Sequence, residues 1–158
     1  MCGINGYINF NDPIQDDKVI RKMNLAIKHR GPDGDGSLLH KKTALGRVRL
    51  SIIDLNRSAN QPMLSNDGKL ALSFNGEIYN YRDLKKELKE YPFKTNSDSE
   101  VILAAYQKWG KDCLCKLNGM FSFVIYDKDS QTLFGARDPF GVKPFYYCKT
   151  NEFFAFSS

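Results

Sequence analysis

Histidine and cysteine are scarce in this sequence, with 2 and 4 of them in 158 residues. Neither His29 nor His40 has a second nitrogen or sulfur ligand at helix or turn spacing, so no metal site is expected. Cys2, Cys113, Cys115 and Cys148 do not make the paired spacings of a disulfide framework or a zinc ribbon. Within Asp112–Lys116, both cysteines read as small buried hydrophobes. Long apolar runs are also missing. The longest, from Met120 to Tyr126, is interrupted by Ser122 and falls far short of the roughly 20 residues of a membrane-spanning helix. The amino terminus has no basic-then-apolar secretion pattern, because Asn5, Asn9, Asn11 and Asp12 break it. No membrane partner is expected, and a cytoplasmic location is the default. There is no low-complexity tract, no internal repeat and no tail of one charge, so disordered and repeat architectures are set aside.

What is present suits one domain with a substantial core: 42% of residues are apolar and 13% aromatic. The net charge of +5 and the lysines Lys85, Lys86, Lys89 and Lys94 raise the question of nucleic acid. Glu87 and Glu90 are interleaved with those lysines at helical spacing, which predicts a solvated helix face with internal ion pairs and no nucleic-acid partner. Patterning predicts a strand from Gly3 to Phe10, then a helix carrying Val19, Ile20, Met23, Ala26 and Ile27 that ends near Gly31-Pro32. Two short strands around a Lys41-Lys42 turn span Ser37 to Leu50, and another strand covers Lys69 to Phe74 after the Asn66-Asp67-Gly68 turn. Leu84 and Leu88 mark a second helix. Val101, Ile102, Ala105, Tyr106 and Trp109 mark a third, closed by Gly110 and opened by a capping-box pair, Ser97 and Glu100. Strands at Met120–Tyr126, Thr132–Arg137, Phe145–Cys148 and Phe153–Phe156 complete the order. Such apolar strands need cover on both faces, so two sheets packed face to face with helices outside are expected. The last strand runs into Ser158 without a cap or polar tail, which points to a piece of a longer protein.

Removal of Met1 would expose Cys2, giving one residue both a thiol and a free α-amine. The amine's ordinary pKa of about 7.7 to 8.0 lies close to the operating pH, so it could take the thiol proton directly or through one water, without a histidine. An acyl-transfer nucleophile also needs donors aimed at a developing oxyanion. Asn75-Gly76, at the end of a predicted strand, offers a side-chain amide beside an unhindered N–H, although an isolated Asn-Gly is ordinarily a turn. A zwitterionic amino-acid substrate needs a cationic fork and an anion. Arg49 could clamp the carboxylate, and Asp98 or Glu77 could hold the ammonium. Asp98 would equally suit the first turn of a helix, and Arg49 an exposed strand.

The motifs Met1-Cys2-Gly3-Ile4, His29-Arg30-Gly31-Pro32-Asp33, Arg49-Leu50-Ser51-Ile52-Ile53-Asp54, Asn75-Gly76-Glu77-Ile78-Tyr79-Asn80, Ser97-Asp98-Ser99-Glu100 and Arg137-Asp138-Pro139-Phe140-Gly141-Val142-Lys143-Pro144 occur in that order. Together they resemble the class II glutamine amidotransferases, most of all the glutaminase domain of glutamine-hydrolysing asparagine synthetase. The resemblance implies an α+β, four-layer αββα sandwich, the fold of amino-terminal nucleophile hydrolases. It implies that Cys2 attacks the side-chain amide of L-glutamine to form a thioester, with its own amine as base, and that water then releases glutamate. Asn75 and the Gly76 N–H would hold the oxyanion and Arg49 the substrate carboxylate. The backbone at Leu50, Ile52 and Ile53 would line the pocket, and Glu77 with Asp98 would bind the α-ammonium. The loop from Arg30 to Asp33 would lie near the site, and Arg137–Pro144 would be architectural.

The chain has no Ser-Gly-Gly phosphate loop and nothing like an ATP-using synthetase domain. The resemblance therefore implies no cofactor for glutamine hydrolysis, with ATP and Mg2+ belonging to a synthetase domain or subunit outside residues 2–158 that receives the ammonia. A homo-oligomer is compatible with this reading. Two alternatives stand beside it: a non-catalytic, regulatory amidotransferase-like domain, or an amidotransferase for a sugar, peptide or cell-surface polymer.

Overall fold

The computed structural model describes residues 2–50 and 61–158. The chain opens with strand β1 (Gly3–Asn9), helix α1 (Lys18–Ala26) and a single 3-10 turn (Lys28–Arg30). Strands β2 (Gly34–His40) and β3 (Thr43–Arg49) form a hairpin around Lys41-Lys42, and Lys41 takes the left-handed conformation, φ 52°. Then come β4 (Met63–Leu64), β5 (Leu70–Ile78), α2 (Tyr81–Glu87) and α3 (Asp98–Trp109), with a further 3-10 segment at Gly110–Cys115. Strands β6 (Gly119–Asp127), β7 (Thr132–Arg137), β8 (Tyr146–Lys149) and β9 (Phe153–Ser157) end it.

The strands make a five-stranded sheet ordered β2-β3-β1-β9-β8 and a four-stranded sheet ordered β4-β5-β6-β7, with antiparallel pairing throughout. Alternation along β5 divides the core in two. Leu72, Phe74 and Ile78 point toward α2 and α3, packing with Leu84, Val101, Ile102 and Ala105. Ala71 points the other way, into a layer shared with Ile4, Leu45, Val124, Tyr126 and Phe156 between the two sheets. Helix α1 covers the outer face of the five-stranded sheet, where Asn24 accepts a 2.8 Å hydrogen bond from Asn5 Nδ2 and approaches Gly46. The order of layers is helix, sheet, sheet, helices, as the sequence pattern predicts.

Several elements depart from that pattern in detail. Strand β5 runs through Asn75-Gly76 to Ile78, so the pair is strand interior and neither turn nor strand end. A side chain at Gly76 would meet the Met120 carbonyl at 2.3 Å and Phe121 Cα at 2.7 Å, so glycine lets β6 pack there. At the start of α3, Ser97 Oγ accepts from Ser99 N, but Glu100 does not close the expected box. Its carboxylate accepts from the N–H groups of Lys94 and Thr95 at 2.9 and 2.7 Å and from Thr95 Oγ1 at 2.8 Å, fastening the loop before the helix. Of the α2 lysines only Lys86 is exposed; Lys85 is half-buried, donating to the Thr95 carbonyl at 2.7 Å over the Phe93 ring. Among the described residues the observed pairs are Lys86 with Asp83 and Glu87 with Lys116, not the lysine–glutamate pairs within 85–94. Cys113 is buried, and burial pushes its thiol up to about 11, so it acts as a small hydrophobe. Cys115 is exposed, contrary to expectation. Among the described residues no helix is long and apolar enough to cross a membrane.

Candidate active site

Cys2 immediately precedes β1, whose even-numbered residues face the inter-sheet layer with Ile4. In β3, Leu45 is on that layer, so Arg47 and Arg49 are too. In β5, Ser73, Asn75 and Glu77 share the face of Ala71. Alternation therefore brings residues separated by up to 75 positions to one end of the same layer. The Cys2 sulfur is half-buried. It accepts hydrogen bonds from Arg47 Nη2 at 3.0 Å and Leu50 N at 3.4 Å, and lies 3.4 Å from the Leu50 carbonyl. Arg30 Nε donates to the Cys2 carbonyl at 3.3 Å.

The loop after α1 is pressed onto the same strand end. Pro32 bridges to Arg49, and Asp33 N donates to the Arg49 carbonyl at 3.0 Å. A Cβ on Gly31 would lie 2.5 Å from the Val48 carbonyl carbon and 2.6 Å from Arg49 N, so only glycine permits this approach. The His29–Asp33 motif thus buttresses Cys2 through Arg30 and β3 through Gly31.

On the facing sheet, Asn75 is buried and its Nδ2 has no hydrogen-bond partner among the described residues. Phe121 uses both its N–H and carbonyl toward Asp138, so the opposed pair Gly76–Phe121 exchanges no ladder bonds, and the Gly76 N–H points away from β6. Its neighbours of the same parity show what lies on that side. Phe74 N donates to Gln61 Oε1 at 2.7 Å, and Ile78 N donates to Asp98 Oδ2 at 3.0 Å. The Gly76 N–H is the middle donor of this row, and β4 reaches only as far as Leu72.

Asp98, the first residue of α3, is buried, and burial raises its carboxyl above the ordinary value. Backbone N–H groups of Ile78 and Ser99 oppose the shift, and Glu77 adds to it. Arg47 is 8% exposed. Burial lowers its guanidinium from the usual arginine value; the Cys2 sulfur and Asp98 work against that change, and Arg49 reinforces it. The sequence reading missed Arg47. Its signal was present in the period-2 series Leu45, Arg47, Arg49, which puts both arginines on one face. Ile52 and Ile53 lie outside the described residues. Leu50 is at the site through its backbone, Asn75, Gly76, Glu77 and Asp98 come from the facing sheet and helix, and Arg49 follows Arg47 in β3.

Residues 1–158 match the glutamine amidotransferase domain family. The chain belongs to that family. It is 44% identical to an asparagine synthetase [glutamine-hydrolyzing] of Bacillus subtilis and 43% identical to a putative asparagine synthetase [glutamine-hydrolyzing] of Methanocaldococcus jannaschii, in each case over its whole length. It spans 26% and 34% of those relatives, so this amidotransferase domain corresponds to about a quarter to a third of them. Among solved structures, the glutamine phosphoribosylpyrophosphate amidotransferase of B. subtilis superposes with a TM-score of 0.81 at 23% identity, covering 99% of this chain and 41% of that one. The domain therefore shares the four-layer fold of an enzyme with which it has little sequence in common.

Outside the site, Arg137–Pro144 is architectural. Burial alone would raise the Asp138 carboxyl, but N–H groups of Val142, Lys143, Phe121 and Phe140 outweigh it and hold the group below the ordinary carboxylate value. Arg137 ties the loop back through the Lys143 and Gly141 carbonyls.

Proposed function

We propose that this domain hydrolyses the side-chain amide of L-glutamine and supplies the ammonia to an ATP-dependent, asparagine-synthetase-type amide-forming region. The observation that supports the reading is that the Cys2 sulfur lies at the end of the inter-sheet layer, the layer onto whose other side β5 turns Asn75, a buried amide without a partner among the described residues. With Met1 removed, the Cys2 amine accepts the thiol proton and the sulfur attacks the amide carbon. The carbonyl electron pair moves to oxygen, where Asn75 Nδ2 and the Gly76 N–H receive it. The protonated amine then gives its proton to the departing ammonia, and water cleaves the thioester to glutamate. Arg49 clamps the substrate carboxylate and Leu50, Ile52 and Ile53 line the pocket, while Asp98 with Glu77 receives the α-ammonium. Glutamine hydrolysis needs no cofactor on this reading; ATP and Mg2+ serve the amide-forming step elsewhere, in a cytoplasmic setting. The names of the relatives favour aspartate as final acceptor over a sugar, peptide or polymer.

The test is to incubate amino-terminally processed protein with glutamine, and separately with a glutamine-like electrophile. Glutamate should appear without ATP, the electrophile should be found on Cys2, and Cys2→Ala should abolish both while keeping the melting temperature. An adduct elsewhere, or turnover surviving in Cys2→Ala, would refute the proposal.

A further inference from the structure

We propose that Arg47 is a second catalytic residue, whose buried guanidinium holds the Cys2 sulfur in its reactive thiolate form. This deepens the reading of Cys2 as nucleophile and rests on it. The geometry is direct. Nη2 lies 3.0 Å from the sulfur, at the close end of the range for a charge-assisted bond to a large anion. The residue is almost wholly buried, and its Nε and Nη1 find no partner among the described residues. A guanidinium whose other donors find no partner among the described residues, taken out of water, gains from an anion at the sulfur it touches. Among the described residues no carboxylate is hydrogen-bonded to it. The charged groups around this pair are Arg30 from the turn after α1, which donates to the Cys2 carbonyl, Arg49 farther along β3 and Asp98 at the start of α3, with Glu77 of β5 acting on Asp98. The charged group in contact with the sulfur, Arg47, is a cation.

The proton balance is simple. The thiol proton passes to the Cys2 α-amine, the electron pair stays on sulfur, and the Arg47 hydrogen bond strengthens against it. On attack, that pair forms the carbon–sulfur bond, and the charge moves to the carbonyl oxygen at Asn75 and Gly76. Arg47 thus acts before the bond forms, and the oxyanion donors act after it.

The experiment measures iodoacetamide alkylation of processed protein as a function of pH, read by peptide mass analysis as the rate at Cys2 relative to exposed Cys148. Iodoacetamide needs no glutamine pocket, so the result stands apart from glutaminase activity. At pH 6, Arg47→Gln is expected to lower the Cys2 ratio by about tenfold or more, because an opposite charge at contact distance shifts ionisation by about one to three pH units. Arg47→Lys should retain most of the native ratio. A fall below about threefold in folded Arg47→Gln, or an equal loss in Arg47→Lys, would overturn the proposal. Should Arg47→Gln not fold, guanidinium-15N spectra of the unaltered protein decide. The Arg47 signal is expected to move with the midpoint of Cys2 alkylation, and a midpoint more than about one pH unit away would overturn the assignment. An intact Arg47 effect in a protein with no glutamine turnover would defeat the functional reading while leaving this one standing.

Discussion

At the residue scale, two buried groups are held at a cost to the resting fold. Asn75 Nδ2 is a buried donor without a partner among the described residues, a condition that costs free energy in the resting fold and is recovered if an oxyanion forms there. Asn75→Ala should therefore lower kcat by about 100- to 1000-fold, with a much smaller effect on KM, as removal of an oxyanion donor does. An equal change in KM alone would move Asn75 from oxyanion binding to ground-state binding. Asp98 makes the opposite compromise. Its raised carboxyl makes the ionised form the costlier one in the fold. Its stability contribution is full below the unfolded value of about 3.9 and is lost as pH rises through the folded value. Asp98→Asn is expected to raise the melting temperature at pH 7 while increasing KM for glutamine about tenfold or more, the loss expected for a charged hydrogen bond. A KM that stays put would remove Asp98 from the ammonium site.

At the element scale, β5 does most of the positioning. One strand sends Phe74 and Ile78 to the helices, Asn75 and Glu77 to the inter-sheet layer, and a row of N–H groups sideways past β4. Gly76 is what allows β6 to lie close enough to hold that row straight. Gly76→Ala should cost about 1 to 3 kcal/mol by overpacking against Met120 and Phe121 and should reduce turnover as the N–H moves. A melting curve and a glutaminase assay check both, and an unchanged melting temperature would show that β6 yields without cost. The capping arrangement of α3 teaches a related lesson. Ser97 was legible as a cap from its type and place, whereas Glu100 serves the loop at Lys94–Thr95, because nearby backbone donors competed successfully for its carboxylate.

At the scale of the whole molecule, acid sensitivity is expected to run through Asp138, which joins the loop after β7 to β6. Its lowered carboxyl contributes stability that is full above about pH 3.9 and lost as pH falls through the folded value. Asp138→Asn should thus destabilise the domain at pH 7 and approach the native protein near pH 3, as thermal melts at both pH values would show. The amino-acid sequence by itself determined the order of strands and helices, the two-sheet architecture, and the candidacy of Cys2, Arg49, Asn75-Gly76 and Asp98. Periodicity, caps and turns are short-range and therefore readable, and the motif series named the family. Only the tertiary structure decided that Asn75-Gly76 lies inside a strand, that the Gly76 N–H is free of the β6 ladder, and that Arg47 touches the nucleophile's sulfur. Those facts depend on register between strands distant in sequence. Register is set by which faces two sheets bury against each other, a property of the packed pair that no single segment carries.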